Sequence, residues 1–236
     1  MIHTDFHSHI LPGVDDGSAG VEESLQMLRL EAQQGVQRVI ATPHFYPRYD
    51  TPNRFFARRD RAMAELQEAM AKEEGLPRIV LGAEVYFFPG MSESDVLSRL
   101  TIDGGMHILV EMPFGAWTPE MYRELENIRT RRGLVPIVAH VDRYIRPFHT
   151  HGIPQRLAEL PVLVQANTEF FLNRSTASMA MRMLKGDSIH FLGTDCHNLT
   201  SRKPNMDLAL QKIQKKLGQP VMDRLEEYEK TFWDEE

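Results

Sequence analysis

Residues 21–44 read V-E-E-S-L-Q-M-L-R-L-E-A-Q-Q-G-V-Q-R-V-I-A-T-P-H. Val21, Leu25, Leu28 and Ala32 recur at helical spacing on one face, and Gly35 stands where such a helix stops. The run that follows, 36–41, is short and rich in Val and Ile, as a buried strand is. It ends in Thr42-Pro43-His44, so a side chain with ligand chemistry stands at the carboxyl end of the strand.

The same unit repeats along the chain. Apolar runs occur at 2–6, 36–41, 79–82, 108–110, 135–139, 162–165 and 189–193. Helical patterns lie between them. Phe56, Met63, Leu66 and Met70 line a helix that ends near Gly75, and 119–132 and 175–186 also read as helices. Pro204 opens a segment with Met206, Leu210, Ile213 and Leu217 on one face, and Pro220 opens the last helix. Seven strands alternating with helices predict parallel βα units. With no linker, low-complexity tract or repeat, residues 1–236 read as a single α/β domain. A barrel-like sheet of seven strands is the simplest arrangement, and an open doubly wound sheet is the alternative.

In such folds chemistry gathers at the carboxyl ends of the strands. Strand one runs into His7 and His9, which point to the same side of an extended chain. Strand two runs into His44, strand three into Glu84, strand four into Glu111, and strand five into His140, Asp142 and Arg143. Strand seven ends in Asp195-Cys196-His197; only strand six, ending Ala166-Asn167-Thr168, lacks an obvious ligand. Any one of these histidines reads as a hydrogen-bonded core residue when taken alone. Glu84 and Glu111 resist that reading, because a carboxylate directly after an apolar strand is costly to bury unless paired or bound to a cation. Asp16, Glu84, Glu111 and Asp195 would repel one another in one cleft. Three divalent cations would more than neutralise them and leave a positive cleft suited to phosphate. Nitrogen and oxygen donors without thiolate suit Zn, Mn or Fe.

Composition narrows the alternatives. The 236 residues carry 27 Lys+Arg against 33 Asp+Glu, a formal charge of −6, which disfavours a nucleic-acid binder. Hydrophobic residues at 42% and charged residues at 25% describe an ordinary globule able to bury a core. One cysteine, Cys196, excludes an internal disulfide and a thiolate-based zinc site. The start, M-I-H-T-D-F-H-S-H, has no signal-peptide pattern, and no apolar stretch approaches the roughly 20 residues of a membrane span. A cytoplasmic location is the expectation; the oligomeric state is open.

The blocks DFHSHILPGVDDG, ATPHF, LGAE, LVEMPF, IVAHVDRY and GTDCHN, in this order from about residue 1 to 203, resemble the polymerase-and-histidinol-phosphatase (PHP) superfamily. Within it they look most like the bacterial tyrosine-protein phosphatases encoded with capsule and exopolysaccharide genes. The resemblance implies a distorted seven-stranded (β/α) barrel of the PHP type with three divalent metal ions, manganese first, with iron or zinc as alternatives. It implies that one ion is held by His7, His9, Glu84 and Asp195. A second would be held by Asp16, His44 and His197, and a third by Glu111 and His140 with Glu84 bridging. Spacing cannot choose between Asp15 and Asp16, and the family pattern favours Asp16. Arg143 and Arg202 match the family's phosphate-holding arginines, a role that suits a planar guanidinium. The activity implied is hydrolysis of phosphotyrosine, with attack by a metal-bridging hydroxide and with Asp16 or a metal-bound water able to protonate the phenolate. The implied partner is a phosphotyrosine protein, the tail of a bacterial tyrosine autokinase that controls capsule synthesis. The alternative is a PHP phosphoesterase acting on a small monoester such as histidinol phosphate.

Three further features are weighed. Cys196 and Arg202 have the C-x5-R spacing of cysteine-dependent phosphatases, but the five residues between them hold no glycine to form a phosphate loop, so the spacing reads as accidental. The arginines at 54, 58, 59 and 61 read most simply as a solvated helix face, although an acidic, phosphorylated tail could dock there. Phe45-Tyr46-Pro47-Arg48-Tyr49 follows a ligand and could form a rim for a phenol ring or pack on its own helix. His3, His107, His149, His151 and His190, and the tail beyond about residue 218, carry no assigned role.

Overall fold

The computed structural model describes residues 2–145 and 152–235. The first half runs β1 (Thr4–Ser8), α1 (Val21–Gln33), β2 (Arg38–Ala41), β3 (His44–Phe45), α2 (Pro52–Met70), β4 (Arg78–Leu81) and β5 (Glu84–Tyr86). Three short 3-10 turns lead to β6 (His107–Glu111), followed by α3 (Pro119–Arg132), β7 (Val135–Val138), α4 (Asp142–Ile145) and α5 (Ile153–Leu157). Then come β8 (Leu163–Asn167), α6 (Thr168–Leu172), α7 (Ala177–Lys185), β9 (Phe191–Gly193), α8 (Met206–Leu217) and α9 (Gln219–Glu235). No helix among the described residues is long and apolar enough to cross a membrane.

All strand pairs are parallel, in the orders β1-β2-β4 and β3-β5-β6-β7-β8-β9. The described residues thus hold nine strands rather than the expected seven. The two extra ones arise where an expected strand breaks and resumes. Strand two stops at Thr42-Pro43 and restarts as β3, since Pro43 has no N–H for the ladder. Strand three stops at Gly82-Ala83 and restarts as β5. Each restart carries a residue of the candidate site, His44 or Glu84. At the far side Ser8 bridges Cys196, the Asp195 amide donates to the His7 carbonyl at 2.8 Å, and the His9 amide donates to the Cys196 carbonyl at 2.9 Å. The parallel sheet therefore curls until its last strand meets its first, which an open doubly wound sheet does not do.

The inside of the curl is apolar at the amino ends of the strands. Phe6, Ile40, Val80, Leu109, Ile137 and Phe191, one from each of six strands, form a cluster with Phe232 of α9. Phe6 stacks on Phe191 at 4.2 Å, and Phe232 meets them edge-on at 5.0 and 5.6 Å. A second, larger cluster fills the space between sheet and helices. Helix α9, which no motif marked, closes the apolar end. Its buried Glu229 accepts hydrogen bonds from the His3 amide (3.0 Å) and Thr4 Oγ1 (2.5 Å). Phe232→Ala should therefore cost about 3–5 kcal/mol, the range for deleting a buried aromatic ring, read as a lower urea midpoint with unchanged slope.

At the carboxyl ends the lining turns polar. Between Asp5 and Ser8, β1 carries one more residue than the stretch of β2 it pairs with. This bulge breaks the two-residue alternation, so Phe6 joins the interior cluster while His7 and His9 reach the polar end. Gly193 allows β9 to approach closely, for a Cβ there would lie 2.6 Å from the His7 Cβ.

Candidate metal centre

Five strand ends and two loops bring all nine expected ligand residues together. Glu84, at the start of β5, is the hub. Its Oε1 lies 2.6 Å from His140 Nε2, and its Oε2 lies 3.0 Å from His44 Nδ1, 3.2 Å from His7 Nε2 and 3.3 Å from His9 Nε2. Asp195 Oδ1 lies 3.4 Å from His9 Nε2 and 3.6 Å from both His7 Nε2 and His197 Nδ1. Asp16 Oδ1 is 3.5 Å from His44 Nε2 and 3.5 Å from His197 Nε2. Glu111 stands 3.8 Å from His44 Nδ1 and 3.8 Å from His140 Nε2. His9, Asp16, His44 and His197 form one compact donor group, His7, His9 and Asp195 another, and His44, Glu84 and Glu111 a third. Compared with the expected sets, His9 also joins the Asp16 group, Glu84 stands outside the compact group of His7, His9 and Asp195, and His44 takes the place expected for His140 beside Glu84 and Glu111.

Most of these side chains are buried; Asp16, 66% exposed, marks the mouth. Burial alone would raise the Glu84 carboxyl, but His7 and His140 outweigh it and hold it well below the carboxylate range. Glu111 goes the other way, pushed up to about 7 by burial and by the charge of Glu84. Burial and the neighbouring His9 push His197 down to about 4.

The donor set fits divalent cations. Nine buried polar side-chain atoms among the described residues lack a hydrogen-bond partner, and five of them are here: His44 Nδ1, Glu84 Oε2, Glu111 Oε2, His140 Nδ1 and His197 Nε2. Each such atom costs roughly 1–3 kcal/mol left unpaired, and coordination relieves that cost for any donor atom that takes part in it. The backbone is also bent to the purpose. His140 (φ 30°) and Asp195 (φ 51°) occupy the left-handed region, a strain of about 1–3 kcal/mol each that clusters at functional sites.

Residues outside the expected ligand sets hold the candidate ligands in place. Gln165 Oε1 accepts from the His140 amide at 2.6 Å and lies 3.3 Å from His7 Nδ1. Gln165 Nε2 donates to Asn167 Oδ1 at 3.1 Å, and Asn167 Nδ2 donates to Asp195 Oδ2 at 2.8 Å. So β8, the strand without a ligand, orients three. The signal available was a buried Gln and Asn two apart in an otherwise apolar strand. Asp15 lies 2.8 Å from His9 Nδ1 and accepts from the His44 amide at 2.9 Å, which leaves Asp16 to face His44 and His197. Gly17 lets this loop lie against His9, where a Cβ would come within 2.2 Å of the His9 carbonyl oxygen. Gln165→Ala should lower metal affinity by about 10–100-fold, as loss of a ligand-orienting partner does, read by metal titration of the apoprotein.

Arg143, on α4, and Arg202 both reach Asp195, at 2.5 and 2.7 Å. Each keeps part of its surface at the mouth. Cys196 is buried, with its thiol pushed up by burial and by Glu31 and Asp5, and Arg202 lies on Asp195. A thiol so placed is not a nucleophile near neutral pH. Asp5 and Glu31, behind it, are both raised by burial, Glu31 further by Asp5. Of the remaining histidines, His190 Nδ1 accepts from the Val164 amide at 2.9 Å, His107 packs on Phe232 at 4.5 Å, and His3 Nδ1 lies 3.3 Å from the Gly35 carbonyl. His149 and His151 lie outside the described residues.

Comparison with known proteins places this geometry. The chain is 27% identical over 222 residues to the tyrosine-protein phosphatase YwqE of Bacillus subtilis, spanning 91% of this chain and 85% of the relative. It is 28% identical over 229 residues to the tyrosine-protein phosphatase CpsB of Streptococcus pneumoniae, spanning 91% and 90%. A crystal structure from work on YwqE and CpsB, described there as unique metal-dependent tyrosine phosphatases, superposes with a TM-score of 0.84 at 24% identity, covering 95% of this chain and 91% of that one. The family model for capsular polysaccharide synthesis proteins CpsB/CapC matches residues 3–230, and the chain belongs to that family.

Proposed function

We propose that this protein is a metal-dependent phosphatase that hydrolyses phosphotyrosine in proteins. The observation that carries the reading is the convergence of nine nitrogen and oxygen ligand residues with two arginines at the mouth, Arg143 and Arg202, on a chain whose relatives are named tyrosine-protein phosphatases. The fold is read as a distorted barrel of the PHP type forming a single domain. Three divalent ions, manganese first, would be held by His7, His9, Glu84 and Asp195, by Asp16, His44 and His197, and by Glu111 and His140 with Glu84 between. When bound, such ions supply Lewis acidity and bring water within reach of deprotonation near neutral pH.

The chain's own residues do the rest. Arg143 and Arg202 bind the equatorial phosphate oxygens, where their planar donors match the charge that builds in the transition state. Asp195 holds both guanidiniums at the mouth before substrate arrives. Asp16 stands 66% exposed at the entrance, where solvent reaches the departing phenolate, and a leaving-group pKa of about 10 lets that phenolate take its proton from water without strong acid assistance. The substrate is the tyrosine-phosphorylated tail of a bacterial tyrosine autokinase controlling capsule or exopolysaccharide synthesis, met in the cytoplasm.

Phosphate release from a phosphotyrosine peptide tests this directly. Activity that requires Mn²⁺, is lost in EDTA and survives iodoacetamide is the expected result. Loss on alkylation with EDTA harmless would overturn the metal reading. Turnover of histidinol phosphate alone would move the substrate to small monoesters.

A further inference from the structure

The cleft that opens over Asp16 and His44 has a second wall that the proposed chemistry does not use. It encloses about 430 Å³, and Tyr46, Tyr49, Asp50, Arg54 and Arg58 line it alongside those two residues. Tyr46 stacks on His44 with 4.9 Å between ring centroids and leans toward Tyr86 at 5.4 Å. Tyr49, by contrast, is 80% exposed.

The arginines of this wall lie in the first turns of α2, where positive charge opposes the helix dipole and the first turn itself holds no acidic residue. Two of the neighbouring arginines hold the structure. Arg58 donates to the Val14 carbonyl at 2.9 Å and pairs with Asp50 at 2.8 Å. Arg59 donates to the Gly82 carbonyl at 3.2 Å and lies 5.1 Å over the Phe56 ring. Arg61, further along, points its charge at Glu65 at 3.8 Å. Arg54 has none of these duties. It is 74% exposed and lies 3.9 Å from Asp50 Oδ1, a longer and looser pairing than the 2.8 Å that Arg58 makes with Asp50 Oδ2. An exposed, only loosely paired guanidinium and an exposed tyrosine ring thus share the cleft with the candidate centre.

We propose that Tyr49 and Arg54 form a specificity subsite that binds a carboxylate side chain close in sequence to the phosphotyrosine. The inference rests on the phosphatase reading above. The Tyr49 ring offers a flat surface for peptide backbone and side chain, and Arg54 supplies the charge. Arg58, held by Asp50 and Val14, fixes the wall on which both stand.

Two phosphotyrosine peptides of one length, carrying Glu or Gln at the flanking positions, separate the possibilities. Phosphate release is measured with the Mn²⁺-loaded protein and with Arg54→Glu. Binding is measured in parallel by fluorescence anisotropy, using the same peptides with a non-hydrolysable phosphonate in place of the phosphate ester. The Glu peptide should be favoured about fivefold in both kcat/KM and affinity, the upper range for an exposed ion pair. The preference should shrink as ionic strength rises past about 0.1 M, where the screening length falls to about 10 Å. Arg54→Glu should reverse it. Equal treatment of the two peptides by the unmodified protein, or a preference that persists in Arg54→Glu, overturns the subsite. Selective binding of the Glu phosphonate without turnover of any phosphopeptide would overturn the phosphatase reading while supporting the subsite.

Discussion

Glu84→Gln should remove phosphatase activity by more than about a thousandfold, beyond the hundredfold to thousandfold that loss of one preorganised electrostatic donor costs. The substitution keeps the shape of the side chain and removes its charge. Four imidazoles lie within 3.3 Å of the Glu84 carboxylate, and no other group in the centre contacts so many. In the proposed function Glu84 stands between two cations, which a neutral amide would hold poorly, and its NH₂ group would face the histidine nitrogens proposed as ligands. The loss should therefore appear first as metal content, measured by mass spectrometry of the purified protein. It should appear again in thermal unfolding. A ligand that binds only the native state stabilises by RT ln(1 + [L]/Kd), so Mn²⁺ should raise the Tm of the unmodified protein and barely move that of Glu84→Gln. Full metal content together with full activity in the variant would sink the assignment of Glu84 as the hub. Circular dichroism of the metal-free proteins guards against simple unfolding.

The strands and the convergence of polar residues at their ends were legible for the same reason. A buried parallel strand is a short Val- and Ile-rich run, and a polar residue directly after it has no reason to be there except chemistry. His44, Glu84, Glu111, His140 and Asp195 all announce themselves in that way, and the structure brings them together. What was not legible depends on partners far away in the chain. The breaks at Thr42-Pro43 and Gly82-Ala83 look like strand ends, because local sequence cannot say that the two strands resume pairing in the same register after a two-residue gap. Gln165 and Asn167 act by hydrogen bonds to residues on other strands, and Gln and Asn carry no signature of that role. Helix α9 reads as an ordinary amphipathic tail. That Phe232 closes the apolar end follows from its contacts with Phe6, His107 and Phe191, all distant in the chain. The arginine run looked uniform in sequence, yet Arg58 and Arg59 are structural anchors while Arg54 and Arg61 stand exposed and loosely paired, since each faces a different neighbour around the helix.

Arg143→Ala and Arg202→Ala should each lower kcat/KM for a phosphotyrosine peptide by about a hundredfold to a thousandfold, with metal content unchanged. This pattern differs from that of Glu84→Gln, because the role proposed for the arginines is to hold the phosphate and not the cations. Both guanidiniums rest on one carboxylate, Arg143 on Asp195 Oδ2 and Arg202 on Oδ1, so neither is independent of the other. The double variant should therefore cost less than the product of the single effects. Lysine should rescue poorly at either position, since a point charge cannot present the planar pair of donors that spans two phosphate oxygens. Inhibition by inorganic phosphate supplies the second readout. If the arginines hold the phosphoryl group, the inhibition constant should rise in each variant. If they serve only to hold Asp195, metal content should fall while the phosphate inhibition of the remaining loaded protein stays as it was. That outcome would move both residues from the substrate to the support of the metal centre. Asn167 would then be the natural next substitution, because it binds the same Asp195 oxygen as Arg143, at 2.8 Å, and carries no charge to offer phosphate.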